Sequence, residues 1–256
     1  MAKSRFEYVK LYETADSLLP NCWTVIRVDG HGFRKFADDH NFHKPNDAAS
    51  LALMNRCARS LMETYSNHSR FAYGQSDEYS FVLGPKSRLF HRRAFKLQSV
   101  FASQFAANFV FHWSEFFPDK RLLYPVGFDA RTVLYPSVKE VRDYLSWRQA
   151  DCHINNLYNT TFWTLVQKGG LERTAATKRL EGTNSSDKNE ILFQLFDINY
   201  NNEPEIWRKG TFMFWKQKDG QESPSCSLSE GCELEEVYTS IISDNFWTSH
   251  PYLLES

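Results

Sequence analysis

Cys22-Trp-Thr-Val-Ile-Arg-Val-Asp-Gly30 and Tyr73-Gly-Gln-Ser-Asp-Glu-Tyr-Ser80 are the stretches on which the fold turns. The first is a run of β-branched and aromatic residues that stops at Asp29-Gly30, the pattern of a buried strand whose carboxylate emerges at the sheet end. The second predicts a hairpin: Arg70 to Tyr73 enters, Gly74 to Glu78 turns and Tyr79 to Leu83 leaves. If these strand ends are neighbours, two or three carboxylates converge, and the usual relief is a divalent cation or a raised pKa. Mg²⁺ takes oxygen ligands and bridges to substrate phosphates, so such a cluster suits phosphoryl or nucleotidyl transfer. The same residues also read as an ordinary Asp-Gly turn and a solvated polar turn.

Working outward, Asp47 predicts the N-cap of a helix to about Tyr65, with Leu51, Met54, Ala58, Leu61 and Tyr65 on one face. A second helix runs from about Arg88 to Trp113, striped by Phe90, Ala94, Leu97, Phe101, Phe105 and Phe109, and Phe128 to Tyr135 alternates like a strand. The order β-α-β-β-α-β predicts an α+β fold: a split βαβ, ferredoxin-like, four-stranded antiparallel sheet with two helices on one face. Strands one and three are then central, which sets Asp29 beside Asp77.

From Ser137 the pattern becomes mainly helical. Ser137 and Glu140 form a capping box before a helix through Asp151, and a further helix spans His153 to Lys168, closed by Gly169-Gly170. Short helices at Ala175 to Leu180 and Lys188 to Phe196 precede a strand from Thr211 to Trp215. Beyond Lys218 the pattern is lost, as in a loosely docked or partly disordered strip. Three regions result: 1–136, a catalytic core; 137–217, helical with a returning strand; and 218–256, a tail without assigned role.

With 42% hydrophobic and 16% aromatic residues, the 256-residue chain suffices for one sizeable core. A net charge of −1 excludes a wholesale polycation, so nucleic-acid binding must come from local patches. The five cysteines are odd in number with no Cys-x-x-Cys spacing, arguing against a disulfide framework or a structural zinc site and for a reducing, intracellular compartment. No stretch approaches about 18 uncharged apolar residues, so no membrane span is expected.

Three further groups are candidates. Arg88, His91, Arg92, Arg93 and Lys96 read as a charged solvent face of the second helix or as cations for phosphate oxygens. Gly30-His31-Gly32-Phe33 reads as a plain loop or as a phosphate-binding backbone. The polar block His153-Ile-Asn-Asn-Leu-Tyr-Asn159 either satisfies buried backbone groups or contacts a base or phosphate. His153 is not a zinc ligand, since no second ligand lies one turn away.

Arg27-x-Asp29-Gly30-x-x-Phe33-x-x-Phe36, Lys44-Pro-Asn-Asp47, Tyr73 to Ser80, Tyr144 to Asn159, Lys188-Asn-Glu-Ile-Leu-Phe193 and Ile198 to Pro204 together resemble the eukaryotic tRNA(His) guanylyltransferase family over about residues 1 to 217. The resemblance implies a polymerase- and cyclase-like palm and 3′-to-5′ addition of guanylate to the 5′ end of tRNA(His), with GTP and ATP as substrates and two Mg²⁺ ions. It implies metal binding by Asp29, the Gly30 carbonyl and Asp77, a catalytic role for Glu78, and GTP contacts from Asp29, Gly30, His31, Gly32, Phe33, Arg34, Ser76 and Asp77. Lys44, Arg92, Arg93, Lys96, His153, Asn155, Asn159 and Lys188 are candidate phosphate or tRNA contacts, His153 matching a position near the anticodon. The resemblance also implies a homotetramer, and the cysteine usage and lack of a membrane span lead to an intracellular location, in the cytoplasm with the nucleus as a further compartment, as the expectation. The rivals are a palm-fold nucleotide cyclase, which needs no polynucleotide site, and a non-catalytic RNA-binding protein, which would be expected to lose its acids.

Overall fold

β1 (Trp23–His31) is the strand around which the molecule is organised, and Val25, Ile26 and Val28 on it are fully buried. A continuous apolar run of this kind needs cover on both faces of its sheet. In the computed structural model, which describes residues 4–217 and 231–255, β1 lies antiparallel between β3 (Glu78–Leu83) and β4 (Gly127–Tyr135), and β2 (Ser69–Gln75) pairs outside β3. This is the arrangement expected of the split βαβ. Two further strands, β5 (Thr211–Gln217) and β6 (Cys232–Val237), extend it to six in the order β4-β1-β3-β2-β5-β6.

α1 (Phe33–Asp39), α2 (Ala48–Thr64) and α3 (Ala94–Phe116) enclose one core, where Ile26, Val28, Tyr79 and Phe81 meet Leu53, Leu61, Phe101, Phe105 and Phe109. Asp47 caps α2 as its sequence predicts, accepting from the Ser50 amide at 2.9 Å. The other sheet face carries Trp23, Val25, Phe71 and Val82 against Val141, Tyr144 and Leu145 of α4 (Val138–Gln167).

Two helix assignments need correction. The Arg88 to Trp113 helix starts only at Ala94, because Phe90, His91 and Arg92 take left-handed φ angles in a 3-10 turn over Leu89–Arg92. Conversely, the segments to Asp151 and from His153 are one 30-residue helix. Nothing in 138–168 breaks a helix, and its polar side chains find partners without disturbing the backbone. Its N-terminus is not a full capping box: the Ser137 hydroxyl accepts from Lys139 N at 3.1 Å and donates to the Glu140 carboxylate. At the other end Gly170, at φ +66°, turns the chain as a left-handed cap, with Leu171 N donating to Leu165 O at 3.1 Å. Three shorter helices follow: α5 (Arg173–Leu180), α6 (Ser185–Phe196) and α7 (Glu205–Lys209).

The region after Lys218 is also corrected where it is described. β6 pairs with β5, α8 (Asp244–Ser249) follows, and Phe246, Trp247, Tyr252 and Leu253 complete the α4-side core. Gln149 pins this segment to α4, donating to Thr239 O at 2.9 Å and accepting from Ile241 N at 2.8 Å. The acidic stretch Glu230 to Glu236 falls mostly on β6; Glu230 itself lies outside the described residues. Cys22, Cys57 and Cys152 are free, but Cys232 is disulfide-bonded, a departure from the fully reduced set expected.

Candidate active site

Asp29 and Glu78 are direct cross-strand partners of β1 and β3, and Gln75 pairs Glu78 across the hairpin, so the turn is only Ser76-Asp77. It is tighter than the Gly74 to Glu78 turn predicted, and Ser76 closes it at φ +51°. The Gly30 amide donates to the Asp77 carbonyl at 3.1 Å, tying the end of β1 to the turn. A Cβ on Gly30 would lie 2.9 Å from Asp77 Oδ2 and 2.9 Å from Phe33 Cδ2. Glycine is therefore required for the Asp77 carboxylate to sit against β1.

Burial, with the charges of Asp29 and Glu78, pushes the Asp77 carboxyl up to about 6, against the Ser76 hydroxyl, which donates to Oδ1 at 3.0 Å. Asp29 is also raised, first by burial and then by Asp129, its register partner on β4. An acid whose folded pKa lies above its unfolded value of 3.8 costs stability as pH rises through the interval between them. Chelator-treated wild-type protein is therefore expected to lose stability relative to Asp77→Asn between pH 4 and 6. The variant should melt several degrees higher at pH 7.5 and equally at pH 4, consistent with a cost of up to about 3 kcal/mol. Thermal unfolding across that range checks it; a difference independent of pH would exclude a raised Asp77.

Glu78 has other company. Its oxygens accept from Arg148 Nη1 at 3.0 and 3.2 Å, and Arg27 Nε lies 3.7 Å away. Burial raises the Glu78 pKa even so, the two arginines opposing it. Arg148 also pairs with Asp151 at 3.3 Å and stacks 3.7 Å over the Trp147 ring. Arg148 and Asp129 were not singled out from the sequence, although Arg148 lies in the motif Tyr144 to Asn159, and Arg27 was quoted in its motif without a role; a charged residue in a helix flanked by buried positions is the available signal for Arg148.

A cleft of about 620 Å³ opens from Asp29, Ser76, Asp77 and Glu78. Phe33, Arg34 and Lys44 line it on one side, and Asn155, Asn159 and Trp163 of α4 with Arg173 of α5 on another. Gly32 caps α1 at φ +63°, while Gly30 and His31 remain in β1, so Gly30 to Phe33 is a strand end and helix start rather than a loop. Asn156 is buried, bonded to Tyr200 Oη and Asn46 at 2.9 Å each, and His153 packs edge-on against Tyr200, outside the cleft lining. Within the polar block Asn155, Asn156, Tyr158 and Asn159 line the cleft, Asn156 being bonded into the interior as well, while His153 does not.

The remaining basic candidates are elsewhere. Arg92 is buried and donates to Ser87 O, Leu19 O, Cys22 O and Thr24 Oγ1 at 2.7–3.2 Å. Thr24 precedes Asp29 by about 16 Å of strand, so this group holds the opposite end of the sheet. Arg93 pairs with Asp16 at 3.0 Å, and Lys96 lies 5.1 Å from the Phe90 ring, so no single basic helix stands at the carboxylates. Lys188 is buried, its Nζ donating to Thr183 O at 2.7 Å.

The family model for tRNAHis guanylyltransferase (Thg1) matches residues 6–136, and that for the Thg1 C terminal domain matches residues 139–243. The tRNA(His) guanylyltransferase of Schizosaccharomyces pombe is 51% identical over 260 residues, covering 99% of this chain and 98% of that protein. A probable tRNA(His) guanylyltransferase of Mus musculus is 50% identical over 266 residues, covering 99% and 89%. The crystal structure of the Saccharomyces cerevisiae tRNA(His) guanylyltransferase superposes with a TM-score of 0.78 at 48% identity, over 81% of this chain and 92% of that one. A bacterial Thg1-like protein in complex with ATP shares the fold, with a TM-score of 0.77 at 23% identity over 98% and 99% of the chains. Among the described residues no helix is long and apolar enough to cross a membrane.

Proposed function

The chain belongs to the tRNA(His) guanylyltransferase family of nucleotidyltransferases, and from that premise we propose that it adds a guanylate to the 5′ end of tRNA(His) in three chemical steps. ATP adenylylates the 5′-monophosphate with release of pyrophosphate. The GTP 3′-hydroxyl then attacks the activated phosphorus and AMP leaves, after which hydrolysis removes pyrophosphate from the new end. The observation that carries this reading is the seat of the Asp77 carboxylate against Gly30 at the mouth of a cleft large enough for a nucleotide.

Asp29, Asp77 and the Gly30 carbonyl are hard oxygen donors, and they fit Mg²⁺. No group of three or more His, Cys, Asp or Glu suited to a metal occurs among the described residues, and Mg²⁺ is commonly held by one or two carboxylates and completed by water and substrate phosphates. Two such ions would neutralise charge on the reacting phosphates and lower the pKa of the attacking hydroxyl. Ser76 orients Asp77 through its hydroxyl, and Gly30 fixes the turn through its amide. Arg34, exposed in the cleft, supplies positive charge for phosphate oxygens, as does Lys44, whose ion pair with Asp38 at 2.8 Å sets its position. Arg148 and Arg27 hold Glu78, so its proposed contribution to catalysis is support of the turn rather than a further ligand. The reading extends to a homotetramer, as the resemblance implies, acting inside the cell.

The test uses tRNA(His) with either a 5′-monophosphate or a 5′-triphosphate. The monophosphate form is expected to require ATP and to accumulate an adenylylated end when GTP is withheld. The triphosphate already carries pyrophosphate as a leaving group, so it should accept guanylate from GTP alone. Equal ATP dependence for both would overturn the activation step, and a cyclic nucleotide in place of labelled RNA would favour the cyclase.

A further inference from the structure

We propose that Arg173, stacked on Trp163, is a clamp for a backbone phosphate of the RNA substrate at the end of the cleft remote from Asp29 and Asp77. Arg173 opens α5 with its guanidinium 5.0 Å from the Trp163 ring centre. It is exposed, and among the described residues no carboxylate lies within ion-pair distance of it, whereas Lys44, 5.8 Å from the same ring, is paired with Asp38. An arginine laid on an aromatic face keeps its N–H edges free in a fixed plane, the geometry suited to phosphate oxygens.

Position identifies the phosphate. Arg148 touches Glu78 beside the reacting turn, and Trp163 lies about 22 Å further along the same helix. Asp77 and Glu78 line one end of the cleft and Trp163 and Arg173 the other, with Asn155 and Asn159 of α4 also in its wall. A strand of nucleic acid places phosphates at intervals of about 3.4 Å along its axis, so this separation spans several nucleotides. A phosphate reacting at Asp77 therefore belongs to a different residue of the bound chain from one held at Arg173, and the partner is RNA rather than the reacting nucleotide. This inference rests on the RNA substrate of the proposed function.

The test compares wild type, Arg173→Ala, Arg173→Lys and Trp163→Leu for binding of tRNA(His) without nucleotide, across a salt series, alongside the KM for GTP at saturating tRNA. Arg173→Ala is expected to weaken tRNA binding about tenfold and to reduce the salt slope by about one, leaving the KM for GTP unchanged. Arg173→Lys should restore the slope but only part of the affinity, and Trp163→Leu should lose affinity while keeping the slope. Unchanged tRNA affinity and slope in Arg173→Ala, or a raised KM for GTP with RNA binding intact, would overturn the clamp. Wild-type protein that binds tRNA in this pattern yet adds no guanylate would instead overturn the reaction and leave the clamp standing.

Discussion

Asp29→Ala and Asp77→Ala are each expected to lower guanylate addition by about a thousandfold or more, for both the monophosphorylated and the triphosphorylated tRNA(His). Both routes end in an in-line attack at phosphorus, and under the proposed function each needs the charge neutralisation that this pair of carboxylates would organise. The loss should not be a folding defect. Both carboxyls are held above their ordinary pKa by burial and by neighbouring acids, so removing one relieves repulsion, and melting should be unchanged or higher in chelator. Single-turnover measurements of adenylylation and of guanylate transfer separate the steps. A variant that still adenylylates at the wild-type rate would show that the two reactions use different centres.

Arg148→Met is expected to produce the largest loss of stability, about 3 to 5 kcal/mol. The substitution leaves the Glu78 carboxylate, about 9% exposed, facing only Arg27 at 3.7 Å. Removing one member of a buried ion pair costs more than removing both, so the double variant Arg148→Met/Glu78→Gln should recover a substantial part of the loss. The pH dependence fixes the cause. Burial already raises the Glu78 pKa against the pull of Arg148; without that pull it rises further, and stability of the single variant falls as pH rises through the widened interval between unfolded and folded values. The variant should thus lie nearest to wild type in acid. A deficit that does not change with pH, or a double variant no better than the single, would assign the loss to packing against Trp147 instead.

The apolar run before Asp29 and the spacing of the hairpin were enough to indicate which strands meet, since a central strand must be apolar and a turn must be polar. The same local logic calls for cover on both faces of β1 but could not show what supplies the second, because that cover, α4 with Phe246 and Trp247, comes from more than a hundred residues away. Helix ends were legible at Asp47 and Gly170, where a cap has a chemical signature, and illegible at Arg92, where a largely basic stretch hides the left-handed residues Phe90, His91 and Arg92. Charge alone misled in that segment. Arg92 resembles a phosphate ligand in the sequence, yet it is buried and spent on carbonyl oxygens, while Arg173, outside every motif, stands free in the cleft.

The contact between α4 and the segment 239–253 has a consequence for biosynthesis. Gln149 holds three backbone groups, the Lys209 and Thr239 carbonyls and the Ile241 amide, and Tyr144 shares its core with Trp247. At a synthesis rate of about 5 to 20 residues per second, α4 waits several seconds for these partners to be made. During that interval one face of the sheet, Trp23, Val25, Phe71 and Val82 among its residues, lacks part of its cover. The nascent chain would then have most need of a chaperone after the hairpin at Ser76-Asp77 has formed and before the second core is sealed.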